Sequence, residues 1–165
     1  MDLRRGDVVF FRAGDSPIDR AILAASLSRI VHVGISLDDR YYVEAVWPRA
    51  RVASSAAALP WAVTSPTWPD AGAADRAADA AILQIGQRYD LAGVTTFGAG
   101  LVFPTWRDRL AATVGEAQEI LRLQAAWCSE LVAAALLAGG IALPVPPERC
   151  APVDLARLLG VGEPG

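Results

Sequence analysis

The sequence predicts an α+β domain in which strands come first and helices follow. Three observations carry that expectation. Alternating and β-rich apolar runs are confined to residues 6 to about 53, and Ala- and Leu-rich stretches at helical spacing occupy the chain from about residue 71 onward. With 165 residues, 53% hydrophobic and 20% charged, the chain can bury one sizeable core, which points to a single domain over residues 1–165.

The elements follow in order. Val8-Val9-Phe10-Phe11 is apolar on both faces and suits a buried strand. A helical stretch runs from about Ile18 to Leu27. Val31, Val33, Ile35 and Leu37 then alternate with His32, Gly34 and Ser36, giving a half-buried strand with His32 on its less apolar face. Asp38-Asp39-Arg40 is a turn, and Tyr41 to Val46 is the returning strand. A three-residue loop sets Leu37 opposite Tyr41 and Glu44 opposite Gly34, on the His32 face, whereas a two-residue loop would put Glu44 on the other face. From about Ala53 to Asp70, Pro60, Pro66 and Pro69 forbid a long regular element, so this zone reads as a covering loop. Helices are expected over Ala71 to Gln87, Trp106 to Leu123 and Trp127 to Ala138, the last ended by Gly139-Gly140. Pro144, Pro146 and Pro147 make a stiff connection to a short helix from Asp154 to Leu159.

Composition removes several function classes. The net charge is −3, and all 15 basic residues are Arg, so no electrostatic footprint for nucleic acid is present. No apolar run reaches the roughly 20 residues of a spanning helix, and no Sec signal precedes Gly6. Cytoplasm is therefore the default expectation, with delivery by a phage or a non-Sec secretion system as the other route. One His, two Cys and no C-x-x-C argue against structural zinc, and the nucleotide-cradling glycine motifs are absent, so no cofactor or metal is expected. Asn does not occur and so takes no catalytic role.

Three residue types carry the remaining chemistry. His32 is the only imidazole; alone on a strand it reads first as a core histidine with satisfied hydrogen bonds, and its surroundings move it toward a general base. Gly34 beside it clears room for a substrate backbone or another chain. Glu44, one diagonal step from His32, can orient the ring and raise its basicity. Cys128 opens an apolar helix, where the macrodipole and unpaired amides favour thiolate and its own N–H can meet an oxyanion. A small buried hydrophobe is the other reading of the same residue. Cys150, in a Pro-flanked loop, has no such setting. Trp47, Trp61 and Trp68 line a groove or pack a surface loop, with Arg49 or Arg51 placed to meet a carboxylate or phosphate.

Gly6-Asp7-Val8-Val9-Phe10-Phe11, His32-Val33-Gly34-Ile35 and Tyr42-Val43-Glu44-Ala45 resemble the second half of an NlpC-type papain-like cysteine peptidase. Ile85-Gly86-Gln87-Arg88-Tyr89-Asp90 and Trp127-Cys128-Ser129-Glu130-Leu131-Val132 resemble its first half. The His block precedes the Cys block, an order similar to the circularly permuted YiiX/YebB-like branch, itself related to lecithin–retinol acyltransferase-like proteins. The resemblance covers most of the chain except the loop 53–70 and a helical insert 98–125. It implies a permuted papain-like fold with a small antiparallel sheet packed against helices. It also implies Cys128 as nucleophile, His32 as base, Glu44 as third polar residue and Tyr89 beside the nucleophile. Glu44 departs from the His, Asn or Gln usual in unpermuted enzymes, though the permuted branch uses acidic residues there. The activity implied is a thiol hydrolase on a peptide or lipid acyl substrate: amide bonds of cell-wall stem peptides first, a lipid thioesterase, phospholipase or acyltransferase second, with a non-catalytic binding module as the third reading. Trp47 and Arg49 join Tyr89 as expected substrate contacts.

Overall fold

Val8, Val9 and Phe10 have no exposed surface because both faces of their strand are covered, Val8 and Phe10 by one hydrophobic cluster and Val9 by another, in the computed structural model, which describes residues 3–15, 19–20, 22–23, 28–57, 60–90 and 125–162. The strands are β1 (Val8–Arg12), β2 (Ile30–Ser36), β3 (Tyr41–Val46), β4 (Arg49–Ser54), β5 (Ala62–Thr64), β6 (Arg88–Tyr89) and β7 (Ala125–Ala126). They form one sheet in the order β5-β1-β2-β3-β4-β6-β7. Every pairing from β5 through β6 is antiparallel, and β7 adds parallel to β6. The helices are α1 (Ala73–Ile82), α2 (Cys128–Ala138) and α3 (Pro152–Leu158), with a single 3-10 turn at Pro147–Arg149. The class is therefore α+β, with strands preceding most helices. The helices expected over 18–27 and 106–123 lie mostly or wholly outside the described residues, as does most of the 98–125 insert.

The β2–β3 hairpin has the three-residue loop. Gly34 pairs with Glu44, Ile35 with Val43 and Ser36 with Tyr42. Asp38 enforces this register, since its Oδ1 accepts from the backbone N–H of both Arg40 and Tyr41 at 2.8 Å. Alternation then divides the hairpin. Val33, Ile35, Val43 and Ala45 join Leu131, Val132 and Leu136 of α2 in the main core, while Tyr42 joins Val9 and Leu3 in a smaller cluster. Burying each large aliphatic side chain of the main core stabilises the fold by roughly 1.5–3 kcal/mol.

Two helix ends show why the helices stop where they do. Past α2, Gly140 N–H bonds the Leu137 carbonyl and Ile141 N–H bonds the Leu136 carbonyl, both at 2.9 Å, a Schellman closure. It needs the positive φ of 87° at Gly140, as the Gly139-Gly140 pair promised. By contrast, α1 ends at Ile82 rather than Gln87. Gly86 N–H donates to the Ala50 carbonyl and Ala50 N–H to the Gln87 carbonyl, both at 2.9 Å, so the chain leaves the helix to join β4.

The zone from 53 to 70 is not wholly loop. Its first residues complete β4, and Ala62–Thr64 pairs with β1 as an edge strand between Pro60 and Pro66. Arg49-Ala50-Arg51-Val52-Ala53-Ser54 has little β propensity of its own; pairing with β3 along its whole length overrides that.

Candidate active site

Strand β2 carries His32 at a non-glycine position directly opposite Phe11, and Gly34 follows on the same face. A Cβ on Gly34 would meet Tyr42 Cδ2 at 2.8 Å and the Val43 carbonyl oxygen at 2.9 Å. The room beside Gly34 is thus filled by the neighbouring strand's tyrosine ring, which corrects the expectation of an open approach for substrate there. Tyr42 packs on Phe11 with ring centroids 5.5 Å apart, and Phe11 packs on His32 at 5.4 Å, both tilted. The glycine therefore admits a ring stack that braces the imidazole.

His32 and Glu44 meet as the hairpin register requires. His32 Nε2 donates to Glu44 Oε2 at 2.8 Å, with the two side chains 19% and 6% exposed. The remaining oxygen, Oε1, accepts from Arg51 Nε at 3.0 Å and lies 2.9 Å from Arg51 Nη2. Arg51 is the direct cross-strand partner of Glu44. Burial opposes charge on Glu44, but the bonds from His32 and Arg51 win and hold its carboxyl below the usual carboxylate range. An ionised carboxylate only accepts, so Nε2 carries its proton.

Cys128 completes the convergence. The sequence Trp127-Cys128 leaves β7 in extended backbone and turns at once into α2, whose first intrahelical bond runs from Leu131 N–H to the Trp127 carbonyl at 3.0 Å. The N–H of Cys128 thus belongs to the first turn, where helical amides lack intrahelical partners. The Cys128 side chain lies close enough to His32 to act on the charge of its ring. Since Nε2 is occupied by Glu44, Nδ1 is the nitrogen left for the sulfur. Burial pushes the imidazole down, but Cys128 and then Glu44 push it further up, from 6.5 to about 10.

Tyr89, on β6, is 9% exposed, and burial followed by the charge of Cys128 drives its phenol upward. Tyr89, His32, Glu44, Trp47 and Arg51 all line one cavity of about 490 Å³. Cys128 is 3% exposed and does not line it, while His32 and Tyr89, on whose charges it acts, do. Trp47 is 66% exposed at the rim. Arg49 is not in this wall; its Nη1 donates to the Gly86 carbonyl at 2.7 Å. Of the other tryptophans, Trp61 stacks under Arg12, and Trp68 packs against Gly6 and Gly139. Cys150 is fully buried, its thiol pushed up to about 12 by burial and then by Asp154. The nearby Ser129 hydroxyl donates to the Cys150 carbonyl.

Sequence reasoning offered Arg49 or Arg51 to the carboxylate or phosphate of a ligand, but the carboxylate that Arg51 meets is that of Glu44. The signal lay in the two-residue Trp47-Pro48 turn, which sets Glu44 opposite Arg51. Among the described residues no group of three or more His, Cys, Asp or Glu side chains is arranged to hold a metal ion, and no helix is long and apolar enough to cross a membrane. Neither family models nor curated proteins gave a match to the chain.

Proposed function

We propose that the chain is a thiol hydrolase that works through an acyl-enzyme, with Cys128 as nucleophile, His32 as proton carrier and Glu44 as the group that orients the ring. One observation carries the reading: the chain's only imidazole bonds the carboxylate of Glu44 at 2.8 Å and also interacts with the Cys128 side chain. A core cysteine and a core histidine in an unrelated α+β domain give no reason for this line of three. The order of the blocks and the start of α2 at Cys128 agree with a circularly permuted papain-like fold of NlpC type.

The chemistry follows from the groups present. A cysteine attacks as its thiolate, and His32 is the group that takes and returns the proton. The sulfur adds to the acyl carbonyl, forming a C–S bond while the carbonyl π pair moves to oxygen. The first-turn N–H of Cys128 is placed to stabilise that oxyanion. Collapse restores the carbonyl and breaks the bond to the leaving nitrogen or oxygen, which takes a proton from His32. A water molecule then gives a proton to His32 and attacks the thioester, and the acid departs as the thiolate is restored. Glu44 keeps Nε2 protonated throughout, so the other nitrogen does the exchanging.

The substrate class favoured by the family likeness is the amide bond of cell-wall stem peptides. Wild-type protein and Cys128→Ser, each incubated separately with peptidoglycan fragments and with phospholipids, provide the test by mass spectrometry of products. Release of stem-peptide fragments by wild type alone supports the reading. Release of fatty acid moves the same thiol chemistry to lipid esters, and no product from either removes the hydrolase.

A further inference from the structure

The cavity wall holds a second guanidinium besides Arg51. Arg12 ends β1 just past the irregularity that pairs Phe11 with His32 but Arg12 with Ile30. This shift aims Arg12 along the cavity, which it lines together with His32. Its guanidinium lies 5.1 Å above the Trp61 ring. Stacking uses the flat face and leaves the N–H edge available, and no described residue takes those donors in a side-chain hydrogen bond or ion pair. The other charges of the wall are engaged. Glu44 is held by His32 and Arg51, and Asp19 Oδ2 accepts from the Gly14 N–H at 3.0 Å. Among the described residues, Arg12 is the cation of this wall whose donors no side chain takes.

We infer that the cavity takes an acyl substrate bearing an anionic group, a carboxylate or a phosphate, which docks on the Trp61-stacked fork of Arg12 beside His32. The inference rests on the thiol reading of Cys128 and narrows its substrate class. A planar guanidinium offers two parallel N–H donors to either anion, so both share this site.

Alkylation by iodoacetate and iodoacetamide tests it. Both reagents form the same C–S bond and expel iodide, but only iodoacetate carries a carboxylate. The ratio of their rates at Cys128 is expected to fall by about threefold in Arg12→Met and to recover in part in Arg12→Lys. Acetate or inorganic phosphate should slow the iodoacetate reaction of wild type, and the stronger of the two identifies the preferred anion. An unchanged ratio in Arg12→Met overturns the anion site. A Cys128 inert to both reagents counts against the thiol reading instead. The site is then judged by the Trp61 indole N–H resonance in Cys128→Ser: a saturable shift with phosphate or acetate that Arg12→Met abolishes supports it, and no shift overturns it.

Discussion

Two guanidinium nitrogens of Arg51 converge on Glu44 Oε1, at 3.0 Å for Nε and 2.9 Å for Nη2, from the position directly across the β3–β4 ladder. Glu44 therefore spends one oxygen on each neighbour, and His32 receives a carboxylate that is already charged and fixed. In the proposed mechanism Arg51 acts through Glu44 and is a positioning residue.

Replacing Arg51 with Met should let the Glu44 carboxyl rise toward its ordinary range, because one of its two charge partners is gone. The acid limb of the pH–rate profile moves to higher pH, while turnover at neutral pH falls by less than the about 10²-fold that loss of a proton carrier costs at minimum. Rate profiles of wild type and Arg51→Met on the same substrate give the comparison. An acid limb that stays in place means Arg51 is only a surface partner.

His32→Ala should lower turnover by about 10²–10⁴-fold, whereas Glu44→Gln should keep more activity, since an amide oxygen can still hold the ring. Steady-state kinetics on any substrate the wild type turns over will decide. His32→Ala working at the wild-type rate would falsify the proton-carrier assignment.

The two cysteines should differ in alkylation by iodoacetamide near neutral pH. Cys150 has no exposed surface and a thiol pushed up to about 12 by burial, which leaves roughly one molecule in 10⁴ ionised at pH 8. Cys128 is buried as well, but it interacts with the His32 imidazole. Peptide mapping over a time course should find Cys128 modified first, and early label on Cys150 would reverse the assignment of the two thiols.

Stability should fall on the alkaline side earlier than in a protein without this histidine. His32 is raised in the fold from 6.5 to about 10, so its stabilisation is complete below pH 6.5 and is lost as pH climbs toward 10. Glu44 works oppositely: its contribution is present above its ordinary value of 4.5 and is lost as pH falls. Thermal melting of wild type and His32→Gln between pH 6 and about 9 isolates the histidine, because the buried thiol and phenols add little until their ordinary values are passed. Equal slopes for the two proteins would show that the imidazole carries no such linkage.

Gly34→Ala should destabilise the fold by about 1–3 kcal/mol, since the new methyl has only 2.8 Å to the Tyr42 ring and 2.9 Å to a backbone oxygen. Because Tyr42 leans on Phe11 and Phe11 on His32, the variant should also lose turnover beyond what its lowered Tm explains. A fold stability within a few tenths of a kcal/mol of wild type would mean that the strand pair yields more easily than its geometry suggests.

What could be read in advance was whatever local chemistry decides. Asp38 sets a three-residue loop, the loop sets the register, and the register brings Glu44 to His32 without help from the rest of the chain. Helix α2 was legible from its apolar spacing and its glycine stop. Strand β4 was not, because Arg49 to Ser54 is extended through its partners rather than its own side chains. Arg49 and Arg51 look alike in sequence, yet pairing sends one to the Gly86 carbonyl and the other to Glu44. Gly34 announced a close approach but not by what, and the occupant proved to be Tyr42.

The distribution of the three converging groups along the chain has a consequence for assembly. His32 and Glu44 sit 12 residues apart on one hairpin, so a short loop brings them together at small entropic cost. Cys128 arrives from far downstream and joins them only when α2 docks on β2 and β3. A nascent or partly unfolded chain can thus form the His32–Glu44 pair before Cys128 reaches it. On the proposed reading the nucleophile is therefore the last of the three groups to arrive, brought by the longest-range contact in the site.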